Sequence, residues 1–241
     1  MVVKMDNYKI SINDILSVIT KPYPDFEIMP GKTALLLIDM QKLVSVDFLA
    51  NEAIKAGLPE SAVREVLRDF AERVREAVVN SQKLLKACRE KGFDVIHVKL
   101  EAPTKNPRHT AKINRKVGLI IPPSTEASEF LDAVKPIKGE LVFAKTNGGA
   151  FSGTNIDFVL RNMDINSLII CGFLTDQCVL ATAIHAADLG YDVILVKDGC
   201  TAFTREAHEA IINSLKDVAF KVKTTSEVLK MIQKAPVSEK H

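Results

Sequence analysis

The chain has 241 residues, 47% of them hydrophobic, which suits one large α/β unit with a sizeable core. Charged residues make up 26% and nearly cancel, leaving a formal net charge of +2. That balance creates no global field to gather nucleic acid or an anionic membrane surface, so neither is expected as a partner.

Met1 to Thr20 interleaves Lys4, Asp6, Lys9 and Asp14 with apolar residues, unlike the unbroken apolar stretch of a signal peptide. No apolar run has the length of a membrane span, and the expected location is cytoplasmic. Residues 1–30 read as an N-terminal arm. Its Ile10, Ile12, Ile15, Leu16 and Ile19 fall outside the main body, as a docking segment for another subunit or for its own.

The main body is expected over 31–234. Thr33–Ile38 reads as a buried strand entered through Pro30-Gly31 and closed by Asp39. Glu60 to Lys91 has helical spacing of apolar residues and stops at Gly92, and Phe93–Val98 is the next strand. Val44 to Pro59 is assigned no element. Glu101 to Pro123 carries four prolines and the basic run Lys105 to Lys116, and reads as a long functional loop or lid. Strands follow at Leu141–Ala144, Ser167–Gly172, Asp192–Val196 and Ala219–Val222. Helices follow at Ile156–Asn162, Val179–Leu189, Thr204–Leu215 and Ser226–Gln233. Residues 235–241 read as a flexible tail. Continuous apolar strands alternating with amphipathic helices predict a three-layer α/β/α sandwich on a mostly parallel, Rossmann-like six-stranded sheet.

Such sheets bind ligands beyond the carboxyl ends of their strands, which directs attention to Asp39, Lys145 and Cys178. Of the four cysteines, none in a C-x-x-C pair, Cys178 alone follows a strand and a turn and opens a helix. The orphan N–H groups there lower a thiol's pKa and can hold an oxyanion. Asp39 can take the thiol's proton and hand it to a leaving amine, and Lys145 supplies a cation that favours the thiolate. Taken singly, a strand-end Asp is most often a turn former, a strand-end Lys a solvated charge and a buried Cys a small hydrophobe. Together they make a nucleophile, a base and a charge partner at one edge of the sheet.

Three motifs carry a family resemblance: Ala34-Leu35-Leu36-Leu37-Ile38-Asp39-Met40-Gln41, Lys145 with Gly149-Ala150-Phe151-Ser152-Gly153-Thr154, and Gly172-Phe173-Leu174-Thr175-Asp176-Gln177-Cys178-Val179. From about Lys32 to Leu229 the chain resembles the isochorismatase-like cysteine hydrolases. That superfamily includes nicotinamidases, N-carbamoylsarcosine amidohydrolase, biuret hydrolase and ureidoacrylate hydrolase. The resemblance implies Asp39 as general base, Lys145 as charge-stabilising partner and Cys178 as nucleophile. It also implies a cis peptide between Phe173 and Leu174, an oxyanion hole from the N–H groups of Leu174 and Cys178, and a homo-oligomer, dimer or tetramer.

Nicotinamidases of the superfamily place a metal site of one Asp and two His after the catalytic Asp, whereas Met40 to Ile96 contains no histidine. No metal and no other cofactor is therefore expected. The Gly-Ala-Phe-x-Gly-Thr run resembles the carbamoyl-amide hydrolases, which points to a small amide, ureido or carbamoyl substrate cleaved at a non-peptide C–N bond through a thioester. Phe151, Phe173, Arg108 and Arg115 are candidate substrate contacts, the arginines as clamps for a carboxylate. The competing readings are an isochorismatase-type ether hydrolase and a catalytically silent binding protein on the same fold.

Overall fold

The computed structural model describes residues 2–5, 8–215 and 218–236. An antiparallel hairpin, β1 (Val2–Met5) and β2 (Tyr8–Ser11), leads into the short helix α1 (Ile12–Ile19). The body then runs β3 (Thr33–Ile38), α2 (Val46–Lys55), α3 (Glu60–Lys91), β4 (Asp94–Leu100), α4 (Lys112–Lys116), β5 (Leu141–Lys145) and α5 (Ile156–Asn162). It continues with β6 (Ser167–Phe173), a π-helical turn (Thr175–Val179), α6 (Leu180–Asp188), β7 (Asp192–Thr201), α7 (Arg205–Leu215), β8 (Lys221–Lys223) and α8 (Thr225–Lys234).

The body strands form one parallel sheet of order β5-β4-β3-β6-β7-β8. β3 lies inside it with every residue buried, as its unbroken apolar run requires. Right-handed crossovers leave β3 in opposite directions, toward β4 on one side and, after β5, back to β6 on the other. Helix α3, which packs with α8, therefore covers one face, and α5 and α6 cover the other. The three-layer sandwich is as expected. The order reverses between β3 and β6, so a crevice opens at the carboxyl ends of these two strands.

Local chemistry fixes the elements. Val63, Phe70, Val74, Ala77, Leu84, Leu85 and Cys88 form the buried stripe of α3. Gly92, at φ 77°, ends it in the left-handed conformation that glycine adopts without a Cβ penalty. Strand β7 runs to Thr201, beyond the expected Val196, because a register shift opposite Gly172 lets Cys200 and Thr201 keep pairing with β6. The segment 44–59, assigned no element from sequence, holds α2, whose N-cap Ser45 accepts a hydrogen bond from the Phe48 N–H.

Within the 1–30 arm, Ile28 joins the main core and the Tyr23 hydroxyl donates to Asp192 Oδ1 at 2.9 Å, whereas α1 buries none of its residues. At the other end Ala235 is buried and its carbonyl accepts from Lys91 Nζ at 3.3 Å, so the expected tail is packed where it begins. Residues 237–241 of that tail lie outside the described residues. Among the described residues no helix is long and apolar enough to cross a membrane.

Candidate active site

Asp39 follows the last residue of β3, and its N–H donates to Val98 O of the neighbouring strand at 2.8 Å. Its φ of 50° is left-handed, a conformation uncommon for a residue other than glycine and concentrated at functional sites. Next to it, β6 comes so close that a Cβ on Gly172 would stand 2.1 Å from Ile38 O. Only glycine fits there, and its φ of 130° suits glycine alone. The close contact holds the ends of β3 and β6 side by side, and with them the residues that follow each.

Lys145 closes β5, two strands from β3, and its side chain reaches across β4. It is 1% exposed. Its ammonium group donates to Asp39 Oδ2 at 2.6 Å, to Asn147 O at 3.0 Å and to Cys178 Sγ at 3.3 Å. Three donors meet three acceptors. Asp39 Oδ1, by contrast, is buried without a hydrogen-bond partner.

Cys178 lies in the π-helical turn that leads into α6, a wider coil that recurs at functional sites. The Phe173–Leu174 peptide bond ahead of it is cis, as the resemblance implied. The Leu174 carbonyl accepts from the N–H groups of Gln177 and Val179 at 3.1 and 3.2 Å and closes the turn.

The electrostatics differ from the sequence expectation in one respect. The position opening a helix and the nearby lysine suggested a lowered thiol pKa. Burial and the Asp39 carboxylate instead outweigh Lys145 and push Cys178 up to about 12. Burial pushes Asp39 up as well, with Lys145 opposing it. Burial works to lower the Lys145 value, but Asp39 and Cys178 outweigh it and raise the group above its ordinary value. The resting thiol thus keeps its proton next to a carboxylate of raised proton affinity.

Residues with no role assigned from sequence complete the frame. Gln41 is fully buried, accepts from the Leu100 N–H at 2.7 Å and donates to Leu100 O and Ala127 O at 3.1 and 3.3 Å. It clips the end of β4 beside Asp39. Thr182 donates to Cys178 O at 2.7 Å and accepts from the Ala150 N–H at 3.1 Å, joining the Cys178 turn to the Gly149-Ala150 segment. Asn114 donates to Thr146 O at 2.7 Å and ties the 101–123 loop to the residue after Lys145. Thr175 and His208 share a hydrogen bond of 2.8 Å behind the turn. The motif position of Gln41 was the one available signal, since such bonds follow no periodicity.

Of the candidate substrate contacts, Phe173 is buried in β6 and Phe151 packs against His185 and Tyr191, at ring centroid distances of 5.5 and 5.8 Å. Arg108 and Arg115 are exposed on the loop that Asn114 anchors. The structure brings together Asp39, Lys145 and Cys178 with Leu174 beside them, and among the described residues no side-chain hydrogen bond joins Phe151, Phe173, Arg108 or Arg115 to that trio. Among the described residues no three His, Cys, Asp or Glu side chains converge as metal ligands would.

Residues 33–227 match the isochorismatase domain. An uncharacterized isochorismatase family protein of Bacillus subtilis is 28% identical over 82% of this chain and 99% of its own length. A ureidoacrylate amidohydrolase of Agrobacterium fabrum is 26% identical over 74% of this chain and 79% of its own. The crystal structure of an isochorismatase family protein from Desulfovibrio vulgaris superposes with a TM-score of 0.65 at 26% identity. That superposition covers 84% of this chain and 99% of the other.

Proposed function

Because the chain belongs to the isochorismatase family, we propose that it is a cysteine-dependent hydrolase that cleaves a non-peptide C–N bond of a small amide, ureido or carbamoyl compound. The observation that carries this reading is Lys145 Nζ held 2.6 Å from Asp39 Oδ2 and 3.3 Å from Cys178 Sγ, with Asp39 Oδ1 left bare. A nucleophile whose thiol keeps its proton needs a base in contact with the reacting atoms, and the raised proton affinity of Asp39 meets that need.

In this mechanism Asp39 takes the Cys178 proton as the sulfur attacks the substrate carbonyl carbon. The N–H groups of Leu174 and Cys178 hold the oxyanion, and Lys145 offsets the negative charge gathered at the site. The C–N bond breaks, and Asp39 returns the proton to the departing nitrogen, which leaves as ammonia or an amine. Water then attacks the thioester, Asp39 takes its proton, and the acid product leaves as the proton returns to sulfur. Asp39 Oδ1, which no other group engages, is open to take the Cys178 proton and to pass it to the departing nitrogen. The relative named a ureidoacrylate amidohydrolase supports the ureido and carbamoyl class.

The test is ammonia release from nicotinamide, carbamoyl amino acids, biuret and ureido acids by the wild type and by Cys178→Ala. The expected result is release from at least one ureido or carbamoyl compound that the substitution abolishes. Turnover that survives Cys178→Ala overturns the covalent mechanism.

A further inference from the structure

Among the described residues, two apolar surfaces stand largely exposed. The first is α1. Ile12, Ile15, Leu16 and Ile19 recur at the spacing of one helix face, and they are 55%, 51%, 46% and 74% exposed. The helix is formed in its own right, since Ser11 and Asp14 close a reciprocal capping box at its start. Its one charged side chain, Asp14, is engaged in that cap, so the remaining surface is apolar or neutral.

The second surface is a groove of about 350 Å³ between α2 and the start of α3, lined by Leu49, Leu58, Val63, Val66, Leu67 and Phe203. Leu58, Val66 and Phe203 are 56%, 79% and 49% exposed. The lining holds no charged side chain, and on the two flanking helices Lys55 pairs with Glu52, Arg64 with Glu60 and Arg68 with Glu65. A neutral apolar helix is the complement of such a groove, and seating one there is a recurrent mode of recognition.

The arm does not fill its own groove: α1 buries none of its residues, and Leu58, Val66 and Phe203 stay exposed. Tyr23 ties it to Asp192, the first residue of β7, whereas Phe203 stands just past the other end of that strand. The length of β7 sets these two points roughly 30 Å apart. Four Cα–Cα steps lead from Tyr23 to Ile19, a span of roughly 14 Å even when fully extended. Helix α1 adds only about 11 Å more, so the arm would have to be drawn straight along β7 to approach its own groove.

We propose that α1 of one copy docks in the α2–α3 groove of a second copy, so that reciprocal arms hold a homodimer. Five apolar arm residues (Ile10 with the stripe) and three exposed groove residues supply eight side chains per contact. At roughly 80 Å² of apolar surface each, two reciprocal contacts bury roughly 1,300 Å². That lies within the roughly 1,200–2,000 Å² of stable protein interfaces.

The test is a directed disulfide in a Cys178→Ser background, where the remaining cysteines are buried. A chain carrying Ile15→Cys is mixed with a differently tagged chain carrying Val66→Cys and oxidised mildly. The expected product is the disulfide-linked heterodimer. A chain carrying both substitutions should link between chains and not within one. Ile15→Asp and Val66→Asp, each with an unchanged circular dichroism spectrum, should weaken the dimer by at least about tenfold in light scattering. A link within one chain, no link at all, or dimers that survive both aspartates overturns the proposal.

Discussion

The sheet carries an ionic cluster at each end, one partly and one fully buried, and the two are finished differently. At the amino end of β5, Glu140 receives Arg89 Nε on Oε1 at 2.7 Å, and Arg89 Nη2, His97 Nε2 and the Ile137 N–H on Oε2 at 2.8, 2.9 and 3.0 Å. At the carboxyl end, Asp39 receives Lys145 on Oδ2 and nothing on Oδ1. Burial alone would raise both carboxyls. The donors around Glu140 outweigh it and hold that residue below its ordinary value, while Asp39 stays above its own. A largely enclosed carboxylate with donors on both oxygens is a brace. One with an oxygen left open can take a proton, and the difference marks which end does chemistry.

Asp39→Asn should give the largest separation between the two ends. Turnover is expected to fall by about 10³-fold for want of a base. The same change removes a charge that raises the Cys178 thiol and leaves Lys145, which lowers it. Labelling of Cys178 by iodoacetamide near neutral pH should therefore become faster in the dead enzyme than in the live one. In the wild type, labelling should keep climbing above pH 9.0 instead of levelling off at the ordinary thiol value. Slower labelling of the variant would show that the carboxylate is not what keeps the thiol protonated.

Glu140→Ala should do the reverse, leaving turnover per folded molecule near normal while lowering stability. The expected loss is about 2 kcal/mol, below the ~3–5 of a fully buried pair because Arg89 keeps partial access to water. Since the folded state holds Glu140 below its ordinary value of 4.5, its contribution is present above that pH and fades as pH falls through the lower folded value. Urea titrations across acid pH should find that component missing in the variant. A turnover defect larger than the stability defect would erase the distinction between brace and reactive end. The smallest expected effect is that of a chelator such as EDTA, which should leave ammonia release unchanged. Loss on chelation and recovery on adding metal would break the comparison from the other side.

Much of this was legible in the sequence because it depends on local pattern. The run Leu35-Leu36-Leu37-Ile38 reads as an interior strand, Gly92 as a helix stop, and Cys178 as a residue between strand and helix. Helix α2 was missed although Ser45 caps it and Val46, Leu49, Ala50 and Ala53 have helical spacing. The direction of the Cys178 shift was misread for a different reason. Sequence places a thiol near the start of a helix, but only the folded chain encloses it and sets a carboxylate beside it. The Gln41 clip and the Thr182 link were invisible for the same cause, since each joins segments far apart in the chain.

The Gly172 contact has a consequence for how such a protein diversifies. Because the gauge between the base and the nucleophile is main chain pressed on main chain, it does not depend on the side chains that line the pocket. Those side chains are free to be exchanged, by evolution or by design, to admit a new substrate, while the spacing of the reactive groups is inherited intact. Selection pressure is thereby split, with one small position nearly immutable and its surroundings permissive.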